Sequence, residues 1–214
     1  MSQPIPNLTA GNDSVSISWG EFHGNLVGND TIHTTNEDVV TLTGGDGNNK
    51  INFGDNVLAS IKLGDGNDTI NGHTDGAATV KLGDGQDSIS FDDGLFKITT
   101  GAGADTIHTG DGEQTILSGG GNDLIHVGAG KSFIDSGAGD DTIRTFSGSH
   151  TVLAGQGSDS VSLDDPGRNF VNLGPGNDTL FVSHGSETVI GGSGNDDISA
   201  ASGTGTARTA GLPV

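Results

Sequence analysis

The chain has 214 residues, 30 % of them hydrophobic and 4 % aromatic, and 28 acids against 8 bases give a net charge of −20. That balance excludes a nucleic-acid binder, which needs clustered Lys and Arg to meet phosphates, and argues against an anionic membrane as partner. There is no cysteine, so disulfides and thiolate metal sites are ruled out, and no apolar run reaches the roughly 18 residues of a membrane span.

Met1–Ala10 is a short opening segment with Pro4 and Pro6. It has neither a basic n-region nor an apolar h-region, so it does not read as a classical signal peptide. Trp19 and Phe22 are expected to seal the first core layer. From residue 11 to about 200 one pattern takes over: G-x-G-x-D-x-(Ile/Val/Leu). Shorter copies start at Gly11 and Gly28, and Gly45–Ile51 carries Asn49 in the acid place. Clear copies follow at Gly64–Ile70, Gly83–Ile89, Gly101–Ile107, Gly119–Ile125, Gly137–Ile143, Gly155–Val161, Gly174–Leu180 and Gly192–Ile198. The acid column is Asp13, Asp30, Asn49, Asp68, Asp87, Asp105, Asp123, Asp141, Asp159, Asp178 and Asp196, in steps of 17 to 19 residues. A fixed period of this length signals a solenoid, whose thin apolar stripe suits the low hydrophobic content. Residues 201–214, rich in Gly, Ala and Thr, are set apart as a flexible tail.

Within each coil, apolar residues alternate with polar ones after the acid, as in Asp68-Thr69-Ile70-Asn71. That period of two predicts a short strand with one buried face. A second strand precedes each Gly-x-Gly, with an inward column of Leu42, Ile61, Val80, Ile98, Ile116, Ile134, Val152, Val171 and Val189. Two turns join the strands. One is the acid turn; the other holds Gly76, Gly94, Gly112, Gly130, Gly148, Gly167 or Gly185, with Asn56 filling the place once. Asn is the residue next most tolerant of positive φ. The expected fold is all-β: a parallel β-roll of about 11 coils, roughly 18 residues each, two short strands per coil, about 50 Å long.

These half-coils resemble the RTX, or hemolysin-type, calcium-binding nonapeptide G-G-x-G-x-D-x-U-x, most closely at Gly119-Gly-Gly-Asn-Asp-Leu-Ile and Gly191-Gly-Ser-Gly-Asn-Asp. The resemblance implies a roll whose turns bind Ca²⁺ in a secreted protein, typically one leaving by a type I route. It places each ion between two turns, with glycine-turn carbonyls and one Asp from each. The implied ligand turns are Gly64, Gly66 and Asp68; Gly83, Gly85 and Asp87; Gly101, Gly103 and Asp105; Gly119, Gly121 and Asp123; Gly137, Gly139 and Asp141; Gly155, Gly157 and Asp159; Gly174, Gly176 and Asp178; Gly192, Gly194 and Asp196. Gaps beside Asn49 lack a carboxylate and should be weaker. Turns such as Ser147-Gly-Ser-His lack the Asp, so the array is expected on one edge, the other held by turn geometry and core packing alone.

Other features were weighed against this reading. His108 and His126, with His33 in the same column, suggest a transition-metal site, and an outward Thr column suggests ice binding, but Lys50, Ser88, Leu124 and Ser160 interrupt it. Outward Leu117, Phe133, Leu153, Phe170 and Ile190 suggest lateral self-association or docking on another domain. Acids repeated coil after coil leave no unique catalytic group, so no enzyme is expected. The sequence therefore reads as an extracellular calcium-binding structural protein that folds on Ca²⁺, a matrix, surface-layer or adhesin scaffold that self-assembles end to end or through that apolar face. The alternative is an accessory module of a larger type I-secreted enzyme or toxin.

Overall fold

The computed structural model describes residues 11–17, 21–35, 39–73, 76–164, 167–201 and 206–208. Met1–Ala10, Trp19 and the side chain of Phe22 lie outside the described residues, as does most of the expected tail. Twenty-two strands run from Ser14–Ile17 to Thr206–Arg208. They alternate between two sheets of eleven parallel strands each, so every strand pairs with the one a full coil away. No helix occurs among the described residues. The last strand, Thr206–Arg208, falls in the segment set aside as a tail and pairs in register with Thr188–Ile190.

Register explains why the repeat is so regular. Ile107 pairs with Ile89 on one side and Ile125 on the other, and Ile116 pairs with Ile98 and Ile134. Like therefore stacks on like, and a slip of one residue would turn each apolar column outward. Ile70, Ile89, Ile107, Ile125 and Ile143 of the first sheet face Ile98, Ile116, Ile134 and Val152 of the second, all essentially inaccessible. Each such side chain contributes about 1.5–3 kcal/mol by burial. Gly72 interrupts a neighbouring column. A Cβ there would lie 2.8 Å from the Phe91 ring, and the space it leaves lets Phe53 and Phe91 stack at 6.5 Å, with Phe96 a further 4.6 Å from Phe91.

The two edges differ in length. From Gly44 onward four residues separate the last inward position of the second sheet from the acid, as between Leu63 and Asp68 or Thr100 and Asp105, while the earlier turn from Leu26 to Asp30 has three. On the other edge, three residues separate Phe53 from Val57 but two separate Phe91 from Gly94, although Val57, Gly76 and Gly94 occupy the same rung. Asn56 there takes φ +54°, the positive value its place requires.

The outer faces also differ. The first sheet presents mostly Thr, Ser, Asn and His, with Lys50, Arg144 and an exposed Phe181 among them. The second presents Lys62, Lys81, Lys97 and Lys131 among apolar side chains, with Leu58 54 %, Leu95 56 %, Phe133 38 % and Phe170 36 % exposed. Phe133 and Phe170 belong to one column with Thr151 between them. Leu117 and Leu153 are half-buried. A groove of 820 Å³ follows this face from Val39 to Thr151, reaching further toward the N-terminus than the sequence suggested.

Candidate metal edge

Every acid of the repeat falls on one edge, at the point where the chain enters the first sheet. Asp68, Asp87, Asp105, Asp123, Asp141, Asp159 and Asp178 are 1–3 % exposed; Asp196, in the last coil, is half-buried. Backbone groups hold them in a ladder. The N–H of each donates to the carboxylate Oδ1 of the next: Asp68 to Asp87 at 2.8 Å, Asp105 to Asp123 at 2.9 Å, Asp159 to Asp178 at 2.9 Å. The other oxygen is left over. Oδ2 of Asp30, Asp68, Asp87, Asp123, Asp141, Asp159 and Asp178 is buried with no hydrogen-bond partner. An ionised oxygen in that position is costly unless a cation or proton meets it.

The glycines complete the pocket. Gly103 has φ +149°, and a Cβ on it would lie 1.7 Å from the carbonyl oxygen of Gly85 in the preceding coil. The carbonyl therefore points into the space that a side chain would fill. Gly121, Gly139 and Gly157 repeat the arrangement. Their N–H groups are already used, as in Gly121 donating to Ala138 O at 2.7 Å. What remains on this edge is a row of oxygens: carboxylate Oδ2 atoms and glycine carbonyls. Outside them, exposed Asp46, Asp65 and Asp84 form a second rail, with Asp65 N–H donating to Asp46 and Asp84 N–H to Asp65.

Burial dominates the protonation of the column. It pushes the carboxyls of Asp87 and Asp159 up to about 7, and those of Asp68, Asp105 and Asp141 up to about 6; neighbouring acids add to the rise at Asp87 and Asp159, and the backbone N–H of the previous coil offsets part of it. Hydroxyls two residues past the inward column of the second sheet serve here. The hydroxyls of Thr100, Ser118 and Ser136 donate as a ladder to the carbonyls of Ser118, Ser136 and Ala154, and their place beside the acids of their own coils offsets part of the rise. The signal was present: these three are polar in a column otherwise built of Leu and Ala.

Asn49 shows what fills a rung that lacks an acid. Its amide Nδ2 donates to Gly47 O at 3.0 Å and to Asp68 Oδ1 at 3.1 Å, while its Oδ1 accepts from Asp30 N–H. The amide thus gives Asp68 Oδ1 a second donor beside the Asn49 backbone N–H, while Asp68 Oδ2 stays buried without a partner.

The family model that the chain matches is described as the RTX calcium-binding nonapeptide repeat (4 copies), over residues 60–76, 97–125, 117–149, 126–161 and 164–198. The chain belongs to this family. The match spans more than half of the sequence and leaves out the first coils, where the motif is shortest. No curated protein and no solved structure matches the chain. Repeats of this family bind Ca²⁺, and the donors here suit it. Ca²⁺ takes six to eight oxygens, mixing carboxylates with carbonyls, and this edge offers both with no Cβ in the way. Among the described residues no three His, Cys, Asp or Glu side chains converge, because the acids are strung out one per coil and carbonyls must complete each shell.

The second edge is more than turn geometry and core packing. Asp93 Oδ1 accepts from Asp111 N–H at 2.7 Å, and Asp111 Oδ1 from Ala129 N–H at 2.6 Å. Side-chain ladders thus tie this edge as well, and the expectation of an unaided edge is corrected. His108 and His126 meet edge to face with ring centroids 4.7 Å apart. His33 stands four rungs from His108, beyond Asn52, Asn71 and Ser90, so it does not join them.

Proposed function

We propose that the glycine-acid edge is a linear array of Ca²⁺ sites, one between each pair of consecutive turns from Asp68/Asp87 to Asp178/Asp196, and that filling it drives the roll to fold. The observation that carries this is the row of buried Oδ2 oxygens without a donor. Bound Ca²⁺ supplies the positive charge that these oxygens lack. In the empty state the stacked carboxylates repel one another and resist burial, so ion-binding energy becomes folding energy. The ligands are the acids of the column with carbonyls of the paired glycines, from Gly64 and Gly66 to Gly192 and Gly194.

The folded chain acts outside the cell, where Ca²⁺ is plentiful, as a stiff structural element without catalytic chemistry. The family's link to secretion supports that location, and the repetition of each acid supports a structural role. Self-association through the second sheet is supported by the exposed Leu58, Leu95, Phe133 and Phe170. Far-UV circular dichroism during a Ca²⁺ titration, with electron microscopy of the end point, tests the reading. β-Structure that appears with Ca²⁺, together with filaments or sheets, supports a scaffold. The same folding with single particles points to an accessory module of a larger secreted protein. A chain fully folded in chelator at neutral pH overturns the ion-coupled mechanism.

A further inference from the structure

The outer face of the first sheet carries two histidines on adjacent rungs. His108 and His126 pair across neighbouring strands, Thr106–Thr109 and Leu124–Val127. Their flanking residues Ile107, Thr109, Ile125 and Val127 are buried, so the alternation of the strands turns both imidazoles outward, where they are half-buried. His33, His73 and His150 each spend a ring nitrogen on a neighbour, namely Asn52, Asp92 and Phe146 O. His108 and His126 instead meet each other, and among the described residues neither ring has a hydrogen-bond partner.

We propose that His108 and His126 together chelate one divalent transition ion, of the Cu²⁺ and Zn²⁺ class, at a site separate from the calcium array. The spacing fits such an ion. Parallel strands put neighbouring rungs about 4.8 Å apart. An ion bonded to two imidazoles lies about 2.0–2.1 Å from each nitrogen, hence about 3.2 Å from each ring centre. At square-planar or tetrahedral angles the two centres are then about 4.5–5.2 Å apart. The rings of His108 and His126 stand 4.7 Å apart, at 82° to one another. The strands therefore need not move: the ring met on its face turns about its side-chain bonds until its nitrogen shares the ion. Imidazole suits Cu²⁺, Ni²⁺ and Zn²⁺, whereas Ca²⁺ takes an all-oxygen shell, so the two kinds of ion sort between face and edge. Ser90 and Arg144 occupy the next rungs on either side. The charge of Arg144 is offset by its ion pair with Asp164, and its guanidinium lies over the Phe146 ring. Burial, then His108 and Arg144, lower the pKa of His126, so at neutral pH that ring offers a lone pair rather than a charge. Water fills the coordination positions that two protein ligands leave open.

The test is Cu²⁺ titrated into the Ca²⁺-saturated full chain and followed by electron paramagnetic resonance, with Zn²⁺ calorimetry beside it. One tight Cu²⁺ per chain is expected, its spectrum split by two imidazole nitrogens. His108→Asn and His126→Asn should each leave one nitrogen on the ion and weaken both Cu²⁺ and Zn²⁺ by about tenfold or more, because each ring raises the effective concentration of the other. Asn52 and Asn71 already occupy this column, so Ca²⁺-dependent circular dichroism should be unchanged. His33→Asn, four rungs away, should bind as wild type does. Full-affinity Cu²⁺ uptake by the double variant of His108 and His126 overturns the site. If a variant fails to fold, the wild-type spectrum decides: a single coordinated nitrogen, or none, also overturns it. The coordinated nitrogens are read separately from Ca²⁺ binding, so failure of the calcium array leaves this result intact.

Discussion

The backbone N–H of Asp123 donates to the Oδ1 of Asp141 at 2.8 Å, while the Oδ2 of Asp141 is buried with nothing to meet it. One oxygen of the carboxylate joins coils and the other waits for a charge. The same group therefore serves both the fold and the ion.

Asp123→Asn separates them. The amide keeps an Oδ1 for Asp105 N–H, as Asn49 does for Asp30, but removes one carboxylate from the two gaps it borders. In saturating Ca²⁺ the substitution should cost about 1–3 kcal/mol and move the folding midpoint to higher Ca²⁺. In chelator it should be neutral or stabilising. Circular dichroism against Ca²⁺ measures both, and a variant with the wild-type midpoint would remove Asp123 from the array.

Asn49→Asp runs the other way. It restores the missing acid between Asp30 and Asp68 and deletes the amide that now contacts Asp68. Equilibrium dialysis should show additional bound Ca²⁺, and the metal-free chain should be less stable than wild type. Unchanged stoichiometry would mean that the early coils lie outside the array.

The pH response should change sign with the ion. Burial raises the column's carboxyls from 3.8 to about 6 or 7 in the fold. A carboxyl raised in this way contributes its full stability below the unfolded value and loses it as pH rises through the folded one. Without metal, the roll should therefore be more folded at pH 4 than at pH 8, weakening between these values. With Ca²⁺ the order reverses, because the ion needs ionised carboxylates. A chelated chain that gains no β-signal on acidification contradicts this account.

Gly103→Ala tests the cradle. Its Cβ would lie 1.7 Å from Gly85 O, with φ at +149°, so a coil must move. A loss above about 1–3 kcal/mol is expected in Ca²⁺, read as a lower melting temperature, with weakened ion binding beside it. Ala at exposed Gly45, where nothing lies within 4 Å, is the control and should cost far less.

Leu95→Ser and Phe133→Ser address the apolar face. Both side chains are more than a third exposed, so the monomer fold should be unchanged. Sedimentation in Ca²⁺ should show less self-association than wild type. Equal assembly would move the interface elsewhere.

Much of this was legible in residues because a solenoid writes its tertiary structure as sequence period. The acid column, the Ile columns and the positive φ of Asn56 all follow from spacing. What stayed hidden was content within a rung. Nothing in the spacing says that Phe53 and Phe91 close over Gly72, since that depends on volume across coils. Thr100, Ser118 and Ser136 look like small core residues until a buried acid is found beside each. The buried polar column of the second sheet, Gln114, Ser132, His150, Asn169 and Glu187, was missed because its residues share no type. Only their common rung, two residues past a glycine, unites them.

The unequal lengths of the two edges set what this chain can tolerate. From Gly44 to Asn49 and in every later coil the acid edge keeps one residue count, while the opposite turns from Phe53 to Val57 and from Phe91 to Gly94 differ by one residue without disturbing the sheets. The acid edge is thus the ruler of the roll and the other edge its slack. Loops, tags or whole inserted domains belong on the slack side; the ruler shortens by a residue only from Leu26 to Asp30, where the paired glycine of the ion turn is also missing.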